Sequence, residues 1–126
     1  MKFSPSPEEG QRLELGPDVI SRLIPHRRPL LMVDRVRGAA FGERPTLWAS
    51  RSVSANEQVF DGHFPGLHLW PGIYIQEGLG QSSLVLEVLT WLIERASLQG
   101  FGVSAVCDAL ANLERGHRLQ DRKSVV

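Results

Sequence analysis

The sequence predicts an α+β domain in which an antiparallel sheet wraps around one long central helix. Residues 30–37 are an apolar run that turns into an alternation, and residues 46–54 alternate side chains between two faces, which is the pattern of strands with one buried face. Residues 71–99 contain no proline after the first position and carry apolar side chains around most of the helix circumference. A helix that is apolar on most sides is buried on most sides, and only strands remain to cover it.

Length and composition indicate one globular, soluble domain. The chain has 126 residues, of which 42% are hydrophobic, and its 14 basic and 14 acidic side chains give a formal net charge of zero. This balance offers no electrostatic case for binding nucleic acid or an anionic membrane. We expect a flexible N-terminus at residues 1–12 and a single domain at residues 13–126.

Neither a secretory signal nor a membrane span is predicted. The first residues lack an apolar core segment, and the longest apolar run, residues 84–93, is interrupted by Glu87. That run is far shorter than the roughly 20 residues that cross a bilayer. The single cysteine, Cys107, excludes an internal disulfide and fits a small buried apolar role. We therefore expect a cytoplasmic protein.

The remaining elements follow from local signals. A short helix is predicted over residues 17–25, where Pro17 suits the first turn and Pro25 ends the helix. The two predicted strands are close enough in sequence to form an antiparallel hairpin. The turn between them is marked by two glycines and a proline: Gly38, Gly42 and Pro45. Residues 103–116 fit strand alternation and helical spacing equally well, so their structure stays open.

Two ionisable residues stand out in residues 60–81, FDGHFPGLHLWPGIYIQEGLGQ. His63 falls in a turn rich in glycine and proline, and Glu77 falls just inside the apolar helix that follows. Burying either group without a partner is unfavourable. The pair is therefore either a satisfied structural contact or a functional site.

Two segments resemble the bacterial (3R)-hydroxyacyl-acyl-carrier-protein dehydratases of fatty-acid synthesis. They are residues 24–36, IPHRRPLLMVDRV, and residues 56–81, which contain NE, GHFPG, PG, the helical glutamate and a glutamine four positions later. The resemblance covers about residues 20–95. It implies the hotdog fold, an antiparallel sheet around one long helix. Because that family continues with several strands beyond the helix, we expect an incomplete hotdog sheet in this chain.

The resemblance also implies roles for individual residues. His63 matches the catalytic histidine of the family, and Glu77 matches its catalytic carboxylate. A related isomerase-dehydratase branch has aspartate at the position of Glu77, so glutamate points to the plain dehydratase branch. Gly72 matches the position whose backbone N–H binds the thioester carbonyl. Four further residues are expected along the substrate tunnel: Phe64, Trp70, Tyr74 and Gln81.

These assignments are chemically consistent with dehydration. Histidine is suited to removing the C2 proton near neutral pH, and a carboxyl in an apolar groove favours the neutral form that can protonate the leaving hydroxyl. An N–H at a helix N-terminus can stabilise the charge that grows on the thioester oxygen. A mechanism in which His63 handles both proton transfers stays open. No metal or organic cofactor is expected, and His26 and His68 are expected to be structural or solvated.

The expected partner is acyl-carrier protein, with the surface arginines Arg27, Arg28 and Arg95 as candidates for its recognition. The resemblance implies a homodimer or a trimer of dimers, in which His63 and Glu77 of one site come from different subunits. Arg28 departs from the family, which usually has an aromatic residue there. An alternative function is a non-catalytic or truncated hotdog subunit that binds acyl-carrier protein or completes a partner hotdog chain. A hotdog thioesterase fits the motifs less well.

Overall fold

The computed structural model describes residues 10–123, with side chains as far as Gly116. The elements in chain order are β1 (Gln11–Leu15), α1 (Pro17–Leu23), β2 (Arg35–Ala40), β3 (Thr46–Ser50), a 3₁₀ turn (Gln58–Asp61), α2 (Gly72–Ser97) and α3 (Val103–Lys123). The predicted flexible terminus lies mostly outside the described residues. Its last two residues, Gln11 and Arg12, belong to β1, because Leu13 and Leu15 of this strand are buried in the core.

The sheet has three strands in the order β1-β2-β3, and both pairings are antiparallel. The predicted hairpin of β2 and β3 is confirmed, from Arg35 opposite Ser50 to Ala40 opposite Thr46. Its bounds differ from the prediction, since β2 begins at Arg35 rather than at residue 30, and Gly38 lies within β2 rather than in the turn. The Leu30 carbonyl and the Met32 N–H bond to the Gln81 side chain of α2 instead of to a neighbouring strand.

Helix α2 confirms the long helix predicted over residues 71–99. At its C-terminal end Gly100 has φ +88°, a conformation that favours glycine, and the Phe101 N–H donates to the carbonyl of Ala96. The prediction that most sides of α2 are buried is wrong for this single chain. Only Gln81, Val85 and Leu89 of the helix are buried, because the three-stranded sheet covers one face.

The hydrophobic core lies between this face of α2, the sheet and the helices α1 and α3. The short helix predicted over residues 17–25 is confirmed as α1, and its apolar side chains Val19 and Ile20 are buried, with Ile24 following them into the core. The buried core residues come from five elements and the segments beside them: Leu13, Leu15, Val19, Ile20, Ile24, Val33, Val36, Ala39, Val85, Leu89 and Cys107.

Residues 103–116, which the sequence left open, are helical and belong to α3. The predicted buried role of Cys107 is confirmed, as the residue is 2% exposed. Burial raises the pKa of the Cys107 thiol above its usual value, and the charge of Asp108 adds to this effect. Helix α3 packs against β1, α1 and α2.

A buried carboxylate ties α3 to the beginning of α1. Glu114 is 2% exposed, and its Oε2 accepts a hydrogen bond of 2.7 Å from the Val19 N–H, one of the amides that helix α1 leaves without an internal partner. The negative charge also faces the positive end of the helix. Gly16 makes the approach possible, because a Cβ at this position would overlap the carboxylate of Glu114.

We expect Glu114→Ala to lower the free energy of unfolding by about 1–3 kcal/mol, because it leaves the buried Val19 N–H without an acceptor. Urea denaturation followed by circular dichroism measures the change. Glu87→Ala, an exposed carboxylate on α2, is the matched control and should change stability by less than about 0.5 kcal/mol. Equal effects of the two substitutions would contradict the anchoring role of Glu114.

Candidate active site

The turn that holds His63 fixes which ring nitrogen is basic. The His63 N–H donates to the carbonyl of Val59 at 3.0 Å, and Nδ1 lies 2.8 Å from the carbonyl oxygen of Leu69. Because a carbonyl oxygen only accepts, Nδ1 carries the proton and Nε2 is the basic nitrogen of the neutral ring. The ring stacks on Phe64, with 4.3 Å between ring centroids. Gly66 completes the turn with φ +79°.

Glu77 lies in the second turn of α2, and its side chain is 50% exposed in this chain. The expected apolar groove around this carboxyl is not formed here, because its neighbours Ile73, Ile75 and Leu79 are themselves exposed. One oxygen, Oε1, accepts a hydrogen bond of 2.9 Å from Nε2 of Gln81.

Gln81 is a buried residue that links Glu77 to the segment before β2. Its Oε1 accepts from the Met32 N–H at 2.7 Å, and its Nε2 donates to the Leu30 carbonyl at 2.7 Å as well as to Glu77. The backbone partners fix the orientation of the amide, because reversing it would set donor against donor and acceptor against acceptor. Glu77 therefore receives an N–H at Oε1, and its Oε2 has no hydrogen-bond partner among the described residues.

Gly72 is the first residue of α2 and follows the N-cap Pro71. Its N–H is one of those that an α-helix leaves without an internal partner, at the positive end of the helix dipole. A Cβ at Gly72 would meet no atom of the chain within 4 Å. The chain therefore does not crowd the side of the Gly72 Cα on which a side chain would stand.

A groove of about 210 Å³ runs between α2 and the sheet. Trp70 and Tyr74 lie at the point where it adjoins a second space of about 280 Å³, and their rings pack edge to face with 5.1 Å between centroids. The other residues that line the groove are mostly apolar: Met32, Val33, Ala49, Ser50, Arg51, Ile75, Gly78, Leu79 and Ser82. Of the four predicted tunnel residues, Trp70 and Tyr74 line the groove, whereas Phe64 and Gln81 do not.

Sequence reasoning missed Arg51, which shapes the groove wall. Its guanidinium carbon lies 5.4 Å from the centroid of the Trp70 ring. Its terminal nitrogens lie 3.7 Å from a carboxylate oxygen of Asp34 and 3.0 Å from one of Glu57. These ion pairs hold the cation against the ring, where it interacts favourably with the π face. Only the folded chain brings the four residues together, so no local pattern could have identified Arg51.

The structure places the candidate residues in two groups, one around Glu77 on α2 and one in the turn that holds His63. Glu77 and Gln81 lie together, and His26 joins them: its Nε2 is 3.8 Å from Glu77 Oε1, although the sequence indicated a structural or solvated histidine. His68, in contrast, is exposed and stacks on Phe60. Across the described residues of the chain, neither a hydrogen bond nor an ion pair joins His63 to Glu77.

Neither a metal site nor a membrane-spanning helix is present in the part of the chain that the structure describes. Among those residues no group of three or more histidine, cysteine, aspartate or glutamate side chains could hold a metal ion. Likewise, no helix formed by the described residues is both long enough and apolar enough to cross a membrane.

Comparison with known proteins identifies similar sequences. The family model described as the FabA-like domain matches residues 24–106. The chain is 43% identical over 77 residues to the 3-hydroxyacyl-acyl-carrier-protein dehydratase FabZ of Aeromonas hydrophila. The matched segment is 60% of this chain and 50% of that protein. It is 46% identical over 66 residues to the FabZ of Ligilactobacillus salivarius, covering 52% and 46% of the two chains. The chain thus spans about half the length of the curated relatives it matches.

Proposed function

Because the chain belongs to the FabA-like domain family, we propose that it dehydrates a (3R)-3-hydroxyacyl thioester on acyl-carrier protein to the trans-2-enoyl thioester. The pathway would be fatty-acid or polyketide-type synthesis. The observation that carries this proposal is the fixed tautomer of His63, whose Nδ1–H donates to Leu69 and whose Nε2 is left as a base. The names of the similar dehydratases support the same reaction.

In the proposed reaction His63 Nε2 removes a proton from C2, and the electrons of that C–H bond form the C2–C3 double bond. The C3–O bond breaks, and the leaving hydroxyl takes a proton from Glu77 Oε2 to depart as water. The Gly72 N–H donates to the thioester oxygen, on which negative charge grows as the C2 proton leaves. A proton leaves the substrate for His63 and another reaches the hydroxyl from Glu77, so the charges balance.

We propose that the complete site forms between two subunits of a homodimer, or of a trimer of dimers, with His63 and Glu77 from different chains. The absence of a bond between the two residues within the described part of one chain supports this arrangement. The exposed apolar residues of α2 beside Glu77, such as Ile73 and Leu79, support it too, since association would bury them. We place the protein in the cytoplasm, where acyl-carrier protein would present the substrate.

Three arginines remain candidates for binding the carrier protein, and their surroundings differ. Arg27 donates to the carbonyls of Ser21, Ile24 and His26 and so serves the fold. Arg28 is 75% exposed in its side chain and lies 3.9 Å from Asp34, and Arg95 lies over the Trp91 ring. Arg28 and Arg95 therefore suit a surface role better than Arg27 does.

Mass-spectrometric detection of water loss from a short 3-hydroxyacyl carrier protein tests the proposed function. We expect the purified chain to catalyse the reaction and His63→Ala to lower its rate by about 10²–10⁴-fold, the usual contribution of a general base. His68→Ala is the matched control, since His68 is a second histidine of the same segment and contacts Phe60 instead. Equal rates for His63→Ala and the unmodified chain would contradict the role of His63.

A second candidate is a non-catalytic hotdog subunit that binds acyl-carrier protein or completes a partner hotdog chain. The observation that favours it is the large exposed apolar surface of α2, where Ile73, Ile75 and Leu79 are each more than half exposed. A folded chain that binds acyl-carrier protein but releases no water, even at high enzyme concentration, would favour this function over the dehydratase.

A further inference from the structure

The loop between α1 and β2 holds His26 in a fixed place. Arg27 reaches back so that its guanidinium donates to the carbonyl of His26 at 2.8 Å and to those of Ile24 and Ser21 at 3.0 and 2.8 Å. Further along the loop, Gln81 bonds to the backbone of Leu30 and Met32. The backbone is thus held on both sides of His26, and the side chain is only 28% exposed.

The His26 ring meets Glu77 through a single nitrogen. Nε2 lies 3.8 Å from Glu77 Oε1, whereas Nδ1 is buried and has no hydrogen-bond partner among the described residues. A carboxylate oxygen accepts, so the favoured neutral tautomer carries its proton on Nε2. Catalytic hydrogen bonds are often long in the absence of substrate and shorten when it binds. The gap of 3.8 Å is therefore compatible with an N–H directed at Oε1.

His26 and Gln81 both lie next to the same oxygen of Glu77. The Gln81 amide donates to Oε1, and its backbone partners fix its orientation. His26, in the loop between α1 and β2, faces the same oxygen. A proton on Oε1 would meet two N–H groups and is disfavoured. The transferable proton is therefore expected on Oε2, and negative charge left on the carboxylate would face two donors already in position.

We propose that His26 is a positioning residue for the proposed dehydration. It keeps the acidic proton of Glu77 on Oε2 and stabilises the carboxylate that forms as this proton passes to the leaving hydroxyl. This role rests on the proposed function, because it acts through the proton transfer from Glu77. It assigns a task to a histidine that the sequence indicated to be structural or solvated.

Kinetics of two His26 variants test the proposal. We expect His26→Leu to lower kcat by about tenfold to a hundredfold, the effect of one lost N–H to a charged group, with KM unchanged. His26→Gln keeps an N–H donor near the position of Nε2 and should recover most of the loss. In a Glu77→Ala background, His26→Leu should cause no further loss. Equal losses for the two variants, or a further loss without Glu77, would overturn the proposal.

A second measurement does not depend on turnover. In ¹⁵N spectra of the full chain, the Nε2 resonance of His26 should shift on Glu77→Gln, whereas the ring resonances of the control residue His68 should not. An unchanged His26 resonance overturns the proposal even if the chain is an active dehydratase. A shifted resonance in a folded chain without turnover overturns the proposed function and the positioning role of His26, and leaves only the contact between the two side chains.

Discussion

Glu77→Gln will reduce the rate of water loss by about 10²–10⁴-fold, which is the usual contribution of a general acid. Glutamine has no acidic proton to give to the leaving hydroxyl, although its carbonyl oxygen can still accept the N–H of Gln81. Since the Glu77 side chain is half exposed, the thermal midpoint should stay unchanged. Single-turnover mass spectrometry of the acyl-carrier-protein product measures the rate.

Glu87→Gln is the matched control, because it makes the same change at an exposed site on the same helix. It should retain full activity. A Glu77→Gln chain that stays within tenfold of the unmodified rate would contradict the role of Glu77 as the acid. That result would favour the alternative mechanism, in which His63 handles both proton transfers.

Leu89→Ala will lower the free energy of unfolding by about 2–5 kcal/mol, the range for removing a large aliphatic side chain from a packed core. Leu89 is 1% exposed and lies on the single face of α2 that contacts the rest of the core. The substitution removes apolar atoms that were buried on folding, and it leaves a cavity beside Val85. Chemical denaturation followed by circular dichroism gives the change in stability.

Leu98→Ala is the control, since Leu98 follows the same helix and is 81% exposed. Its effect should be below about 0.5 kcal/mol. Equal losses at the two positions would contradict the one-sided burial of α2, because they would mean that Leu98 also lies in a packed environment in solution.

The helices could be predicted from the sequence because their signals are local. Pro17 and Pro25 bracket α1, and Pro71 and Gly100 bracket α2, each within three residues of the observed bound. Residues 103–116 could not be assigned, since both periodicities were present. Burial of Cys107 and Glu114, seven residues apart and hence on one helix face, decides for α3 once the core is known.

The strand bounds failed for a reason that the sequence does not contain. Residues 30–32 read as the beginning of a strand because all three are apolar, but the Leu30 carbonyl and the Met32 N–H bond to the buried amide of Gln81. The N–H groups of Leu30 and Leu31 donate to the Arg27 carbonyl in a turn. A side chain nearly fifty residues away thus replaces the strand pairing. No window of local sequence shows such a competitor.

The site was predicted in part. His63 and Glu77 stood out as ionisable residues of an apolar segment, and the resemblance to the dehydratases implied the roles of both and of Gly72; those roles stay predictions. The neighbours of Glu77 were assigned differently: Gln81 was expected along the substrate tunnel, and His26 was expected to be structural or solvated. The bond between Gln81 and Glu77 is local to α2. The contact of His26 with Glu77 and the bonds of Gln81 to the backbone connect the loop before β2 with α2, so they exist only after the chain has folded.

The bond between Glu114 and Val19 also bears on how the chain folds. It joins residues 95 positions apart, so it closes a loop that includes most of the molecule. Closing long loops is entropically unfavourable, and folds dominated by such contacts form slowly. During synthesis the beginning of α1 emerges long before Glu114 does. Helix α1 can therefore reach its final hydrogen bonding only after residue 114 has left the ribosome.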